Sequence, residues 1–460
     1  MTATPKRARV AFIAMALVAA SAVWAMPAHA ATTFVVDDDG AATATDCNAA
    51  GSAFRSIQLA INAAASGDTV KVCPGEYNQP LVISGKGINL IGAKVGVNGA
   101  TRAFGQNAES VIGTVGKDLD AIQVGPGASN TVVDGFTIQN SRNGVNTLND
   151  GSGYIVRNNI IRNNAIGIGF SSSGVIPSVV TRNKITANNN GFSGGGAGEG
   201  CLGPNDATTQ CGEGLPASSS GNGIYTDNGL SNATISGNFV GLNRNAGIFI
   251  FNCVGGVDSG IGITGNTLQN NWTDISLVDA VTGVTVTKNK TNDNKPGNDT
   301  NWGSSIFVGG TTGVTIGGPT KADGNTFNKA PFSSVRISEA TFCGGVTPPS
   351  THVVVQNNNI NTAGYDGIRV SDPAAGRVEV RNNVLRNNGA PIPDIGWAGG
   401  DGIHFLAGTN GNVIDSNTAT GSGIFDCHDE SGPTAATVLN TWTNNTAVTE
   451  SPIGICPLRP

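Results

Sequence analysis

Asn158-Asn159-Ile160 and Asn183-Lys184-Ile185, with Gly167-Ile168-Gly169-Phe170 between them, carry the pattern that decides the fold. The first element, Asn-x-aliphatic in its clearest copies, returns as Asn238-Phe239-Val240, Asn266-Thr267-Leu268, Asn289-Lys290-Thr291, Asn325-Thr326-Phe327, Asn358-Asn359-Ile360, Asn382-Asn383-Val384 and Asn417-Thr418-Ala419. Counted from Asn158, successive Asn lie 25, 55, 28, 23, 36, 33, 24 and 35 residues apart. The short gaps cluster near one value, and the longer ones read as that value plus an inserted loop. The longest contains the Gly-rich stretch Ser193 to Ser220. About half a repeat after the Asn comes a second element, Gly-Ile-x-apolar: Gly223-Ile224-Tyr225, Gly247-Ile248-Phe249-Ile250, Gly367-Ile368-Arg369-Val370, Gly402-Ile403-His404-Phe405 and Gly423-Ile424-Phe425. Three to five residues alternate in and out, and a turn residue follows. Such a strand is too short to stand alone, but coil stacked on coil gives it a partner above and below, about 4.8 Å away. Asn suits the bends because it tolerates the left-handed conformation, and stacked Asn side chains can hydrogen-bond along a ladder. A parallel β-solenoid of about a dozen coils follows from the repeat length.

Composition agrees. The 460 residues include 66 Gly and 51 Asn, with 5% aromatic and 13% charged residues. Gly is not spaced as in collagen, and no long stripe of 3.6-residue period exists for a helical bundle. Gly, Asn, Thr, Val and Ile suit an all-β chain with many tight turns.

Residues 1–30 read as a secretion signal. Lys6, Arg7 and Arg9 form a basic start, Val10 to Ala25 an apolar run, and Ala28-His29-Ala30 a small-x-small cleavage site. The protein is expected to be secreted or periplasmic and free of the membrane after cleavage behind Ala30. Without that segment, 23 Lys and Arg face 32 Asp and Glu, a formal charge of −9. This balance argues against nucleic acid as a partner. A monomer is expected.

Eight Cys in an exported chain point to disulfides. Cys47 with Cys73, Cys201 with Cys211 and Cys427 with Cys456 close local loops, which leaves Cys253 and Cys343. Open ends of a solenoid need caps. Phe54 to Ala65 fits an amphipathic helix, with Phe54, Ile57 and Ile61 on one face, and Gly67-Asp68 ends it. Expected organisation is therefore a signal (1–30), an N-terminal cap and first coil (31–80), the β-helix (81–425) and a stapled C-terminal cap (426–460).

Val35-Val36-Asp37-Asp38-Asp39-Gly40, Ile57-Gln58-x-Ala60-Ile61, Gly67-Asp68-Thr69-Val70, Pro74-Gly75-x-Tyr77 and Leu90-Ile91-Gly92 resemble the opening of bacterial right-handed parallel β-helix proteins, the pectin-lyase-like superfamily. The resemblance runs over nearly all of residues 32 to 425. It implies a single-stranded right-handed parallel β-helix, and less about function, because this fold hosts lyases, hydrolases, epimerases, tailspikes and adhesins. The polygalacturonase set, the pectate-lyase Arg-x-Pro-x-x-Arg and the calcium nonapeptide are absent from the sequence. Asp37-Asp38-Asp39-Gly40 offers the donors of a Ca2+ loop, though opening the first strand is the plainer reading. Phe425-Asp426-Cys427-His428-Asp429-Glu430-Ser431 is similar to the Asp-Pro-His-Asp motif of alginate C5-epimerases, with Asp426, His428 and Asp429 in the acidic and His positions and Cys427 in place of Pro. A structural cap is the expected role of this segment.

The strands give another route to a site. Where Ile points in, the next residue points out. Reading that position coil by coil gives Tyr225, Phe249, Ser276, Phe307, Arg336, Arg369 and His404, with Asp366 and Asp401 just before two of the strands. Tyr225, Phe249, Phe307 and Arg336 are candidate substrate-binding residues, since aromatics stack on sugars and Arg pairs with carboxylates. Asp366, Arg369, Asp401 and His404 are candidate catalytic residues, because His beside a carboxylate exchanges protons near neutral pH. The expectation is an exported protein that binds or acts on a polysaccharide along this face, as a lyase, hydrolase or C5-epimerase if it is an enzyme. The alternative is a non-catalytic surface or adhesion scaffold whose face is merely solvated.

Overall fold

A computed structural model of the chain describes residues 30–43, 45–48, 50–105, 108–113, 119–188, 221–226, 228–243, 245–252, 257–279, 281–292, 303–339, 349–372, 376–389 and 399–456. Cys201, Cys211, Cys253 and Cys343 lie outside the described residues. Each full coil visits three sheets in turn. Residues Ile155–Arg157, Ile160–Arg162 and Ile166–Gly169 make one such coil, and Ser178–Thr181 begins the next. Among the described residues the first, second and third sheets hold 14, 12 and 13 strands, all paired in parallel with the strand one coil away. This is the right-handed parallel β-helix that the repeat predicts.

The second sheet shows how the repeat becomes a core. Ile161, Ile185, Val240, Leu268, Thr291, Phe327, Ile360, Leu385 and Ala419 are successive register partners. All of them are buried. Burying a Val, Leu or Ile side chain contributes roughly 1.5–3 kcal/mol, so strands of three residues persist because most deliver one such side chain to a shared column, with Phe327, Thr291 and Ala419 filling the remaining places.

The bend between the first and second sheets divides its work between two adjacent residues. One adopts the left-handed conformation: Asn158, Arg182, Lys288, Asn357, Asn382, Ser416 and Asn444 have φ between 54° and 58°. The next residue is a buried Asn. In the Asn-Asn pairs, therefore, Asn159 and Asn383 form the ladder, while Asn158 and Asn382 make the turn. Beyond Asn159, whose Oδ1 accepts from Phe136 N–H at 2.9 Å, each ladder Asn accepts through Oδ1 from the backbone N–H and the Nδ2 of the Asn one coil before, as Asn238 does from Asn183 at 2.9 and 3.1 Å. Its own Nδ2 also reaches back to a strand carbonyl, Val180 O at 2.9 Å for Asn238. The ladder runs through Asn159, Asn183, Asn238, Asn266, Asn289, Asn325, Asn358, Asn383, Asn417 and Asn445.

Gly in the Gly-Ile element has a steric cause. A Cβ at Gly367 would lie 2.6 Å from the Gly402 carbonyl oxygen of the next coil. The match at Gly423-Ile424 is an exception. Ile424 is exposed, and the strand that pairs with Ile403–Phe405 is Cys427–Asp429, with Cys427 opposite Ile403.

At the N-terminal end a helix, α1 (Ile57–Ala63), buries Ile57, Ala60 and Ile61. It is shorter than the expected span. Ser56 caps it by accepting from Leu59 N–H at 3.4 Å, and Phe54 instead makes a β-bridge to Val36 and packs edge-on against Phe34. Cys47–Cys73 staples this region. Asp37–Gly40 forms a turn in which Gly40 N–H donates to Asp37 O at 3.1 Å and Asp39 accepts from Ala41 N–H at 2.7 Å. At the other end, Cys427–Asp429, Thr441–Thr443 and Glu450–Ser451 add further strands. Trp442 sits opposite Ile414 in register and edge-on to Phe405, and its Nε1 donates to Asp429 at 2.7 Å. Cys427 is bonded to Cys456.

Asn238→Ala orphans the Asn183 N–H and the Val180 carbonyl inside the stack; each unsatisfied buried group costs about 1–3 kcal/mol, so urea denaturation should show a loss of that order or more. The adjacent outward change Thr234→Ala should stay within about 0.5 kcal/mol. Replacing Cys427 and Cys456 by Ser should lower stability by roughly 2–4 kcal/mol, read as a fall in thermal midpoint relative to the parent chain.

Candidate functional site

Register brings the candidate residues into one column. Tyr225, Phe249, Ser276, Phe307, Arg336, Arg369, His404 and His428 are consecutive partners across the third sheet. The outward order read from the strands is thus observed, and it continues one coil further, to His428.

The column falls into three parts. Tyr225 and Phe249 are only 4% and 5% exposed, packed with Phe251 at centroid distances of 6.4 and 5.2 Å. Their own rings meet edge to face at 5.7 Å, and Phe307 packs beside them, half-buried. Next comes an arginine–aromatic stack. Phe332 and Tyr365 lie parallel, 5.0 Å apart. The Arg336 guanidinium sits 5.2 Å from the Phe307 ring and 5.4 Å from Phe332, and that of Arg369 sits 5.3 Å from Tyr365 and 5.9 Å from Phe332. Burial, reinforced by the neighbouring Arg369 charge, pushes the Arg336 guanidinium down to about 10.

The last part holds the titratable groups. Asp366 is fully buried, takes an ion pair from Arg369 Nη1 at 2.8 Å and accepts from the Asp401 backbone N–H at 2.8 Å. Asp401 accepts from Phe425 N–H at 2.8 Å through Oδ1. Its Oδ2 lies 3.2 Å from His404 Nδ1 and 2.7 Å from His428 Nδ1. The two imidazoles stack, with centroids 4.3 Å apart and planes 12° from parallel. At their opposite edges Glu430 Oε1 lies 3.2 Å from His404 Nε2 and 3.9 Å from His428 Nε2. Side-chain exposure rises outward, from 8% for His404 to 18% for His428 and 40% for Glu430. Burial pushes the His404 imidazolium down, but the Asp366 hydrogen bond and charge, with the charge of Asp401, outweigh it, and its pKa ends above the ordinary value despite Arg369.

Asp366, Arg369, Asp401 and His404, distant in sequence, are therefore adjacent. His404 points outward yet is buried, because Arg369, His428 and three carboxylates surround it. His428 and Glu430 complete the cluster; the sequence singles out His428 only within the epimerase-like motif, read as cap, and gives Glu430 no role of its own. The spacing of one coil from His404 was the available signal; the neighbouring Gly423-Ile424 match and the cap reading of Cys427 obscured it. Asp426 and Asp429 have structural partners. Asp426 accepts from the backbone of Ser422, Val448 and Thr449, and Asp429 from Asn440 and Trp442. Among the described residues, the donor atoms of Asp401, His404 and His428 lie within 4.8 Å of one another, close enough to hold a metal ion.

The family model described as "Right handed beta helix region" matches residues 320–455, the part of the chain that contains the cluster. No curated protein matches the chain. Among solved structures, the catalytic unit of the thermostable GH87 α-1,3-glucanase from Streptomyces thermodiastaticus superposes with a TM-score of 0.57 at 15% identity, covering 92% of this chain and 70% of that one. The GH136 lacto-N-biosidase from Eubacterium ramulus gives a TM-score of 0.49 at 13% identity, over 83% of this chain and 68% of that one. The A-module of a mannuronan C-5 epimerase from Azotobacter vinelandii gives 0.44 at 14% identity, over 88% and 92%. With the three parallel sheets and the matched region together, the fold of this chain is a right-handed parallel β-helix.

Proposed function

We propose that the chain is exported, its leader cleaved behind Ala30, and that the folded part binds and acts on a polysaccharide laid along the outward column of the third sheet. The observation that carries this reading is the stacked His404–His428 pair, held between buried Asp401 and solvent-reaching Glu430. A His fixed by a buried carboxylate is a standard proton carrier near neutral pH. Asp401 orients both rings, and Asp366 positions Arg369. His428 and Glu430, the more exposed groups, are the ones that touch the sugar. Arg336, Arg369, Phe332 and Tyr365 form the adjoining subsite, offering ring faces and positive charge. Tyr225 and Phe249 serve as packed support, with Phe307 at the rim. The α-1,3-glucanase superposition supports a β-helix as a frame for such work, and no sugar is carried over from it.

The test is a polysaccharide panel of neutral glucans and uronate polymers, assayed for binding, new reducing ends, unsaturated products and changed sugar composition. At least one polymer should be bound or altered. His428→Ala and Glu430→Gln should each cut turnover by about 100-fold or more, the usual scale of a lost acid–base group. The thermal midpoint of Glu430→Gln should hold, since an exposed position costs about 0.5 kcal/mol or less, whereas His428→Ala also takes the 2.7 Å partner from buried Asp401 and should lose about 1–3 kcal/mol. If no polymer responds, or both variants act as the parent does, the scaffold reading stands instead.

His404→Ala should differ from Glu430→Gln in the same way. It takes from buried Asp366 the imidazole it faces and from Asp401 one of two, at a cost of roughly 1–3 kcal/mol, so denaturant titration should show lost stability alongside any lost activity.

A further inference from the structure

We infer that the His404–His428–Glu430 edge is a binding site for one divalent transition-metal ion of the Zn2+ class. The inference deepens the polysaccharide reading of the same cluster but is tested by metal binding itself, so the two can fail separately.

The tautomers come first. At the inner edge His404 Nδ1 faces two carboxylate oxygens, Asp401 Oδ2 at 3.2 Å and Asp366 Oδ2 at 3.4 Å, and His428 Nδ1 faces Asp401 Oδ2 at 2.7 Å. Arg369 Nη1 also lies 3.4 Å from His404 Nδ1, but it is already paired with Asp366 at 2.8 Å. The carboxylates place the proton of each ring on Nδ1: Asp401 alone for His428, and Asp401 with Asp366 for His404. Both Nε2 atoms then carry lone pairs at the outer edge. A His whose other ring nitrogen donates to a carboxylate is the usual arrangement behind a metal ligand, because the carboxylate locks the tautomer and raises the basicity of the free nitrogen.

The outer edge supplies the second observation. His404 Nε2 is buried and makes no hydrogen bond, although Glu430 Oε1 is 3.2 Å away. The two atoms are close but misaligned for donation, as two ligands of a third party are. Donor separations of 3.2 and 3.9 Å from Glu430 Oε1 to the two Nε2 atoms suit an ion with bonds of about 2.0–2.2 Å to His and carboxylate. The rings are nearly parallel, so their lone pairs converge only after one ring turns. His428, with more than twice the side-chain exposure of His404, is the ring with room to do so. Two imidazoles and one carboxylate favour Zn2+, Co2+ or Ni2+ over the oxygen-seeking Ca2+ and Mg2+. Three protein ligands leave coordination positions for water or a sugar oxygen, on the side where the substrate is proposed to lie.

The experiment is calorimetric titration of the chelator-stripped full chain with Zn2+, with Ca2+ as the comparison ion, and the visible spectrum of the Co2+-loaded chain. One saturable Zn2+ per chain is expected, with no comparable Ca2+ binding, a raised thermal midpoint and the intense visible absorption of low-coordinate Co2+. Glu430→Gln and His428→Gln, at partly exposed positions, should fold and lose the site. Asp401→Asn should keep it but weaken affinity about 10–100-fold, the scale for a partner behind a ligand. Absence of stoichiometric Zn2+ binding, or binding unchanged in Glu430→Gln and His428→Gln, overturns the inference. Polysaccharide turnover by the stripped chain that metal neither binds nor alters overturns it while leaving the proposed function intact. Zn2+ binding without any polysaccharide response does the reverse.

Discussion

Everything in this molecule depends on satisfying, coil after coil, the backbone groups at a bend that lies inside the stack. A strand of three residues cannot turn a corner without exposing amides and carbonyls, and at this corner water is excluded. The buried Asn ladder answers that demand. Each side chain covers a strand carbonyl with its Nδ2 and, from Asn183 onward, receives two donors on its Oδ1, so the bend is paid for by the coil next door. Because each Asn needs the next, the coils are held at one spacing and in one register, and the aliphatic columns follow.

That register has a chemical consequence. It places outward residues 24 to 35 positions apart in sequence on neighbouring strands: Arg369 beside His404, and His404 beside His428. In a globular fold such groups would need independent loops to meet. Here one backbone rule assembles them, and the residues three before the outward position, Asp366 and Asp401, lie alongside as a second, acidic pair. Insertions longer than the basic coil leave the ladder undisturbed: Asn183 and Asn238 are 55 residues apart and still bonded. A solenoid can therefore vary its loops while keeping its outward columns aligned.

The cost of the arrangement is electrostatic. Asp366 and Asp401 are almost wholly buried, and isolated carboxylates there would be strongly unfavourable. Backbone N–H donors, Arg369 and the two imidazoles compensate them. The same contacts favour the protonated form of His404 against its own burial. Structural support and chemical readiness are thus the same set of interactions, which is why His404 sits on the outward side of a strand and is nonetheless part of the protein's packing.

The repeat made the architecture legible before any coordinates, since in a solenoid the nearest spatial neighbours lie one repeat away and a periodic sequence states them directly. Asn-x-aliphatic and Gly-Ile-x-apolar determined the short strands, the inward columns and the outward order from Tyr225 to His404, and the two terminal disulfides followed from local spacing. Adjacent Asn hid which one laddered, because both tolerate the turn and only hydrogen bonding to the next coil tells them apart. Tertiary structure also decided that Tyr225 and Phe249 close on Phe251, and that Cys427, rather than Ile424, takes the inward place opposite Ile403. That single choice turns His428 and Glu430 toward His404. Burial, ring stacking and the direction of a lone pair depend on what packs from above and from the side, and a one-dimensional pattern carries no information about either.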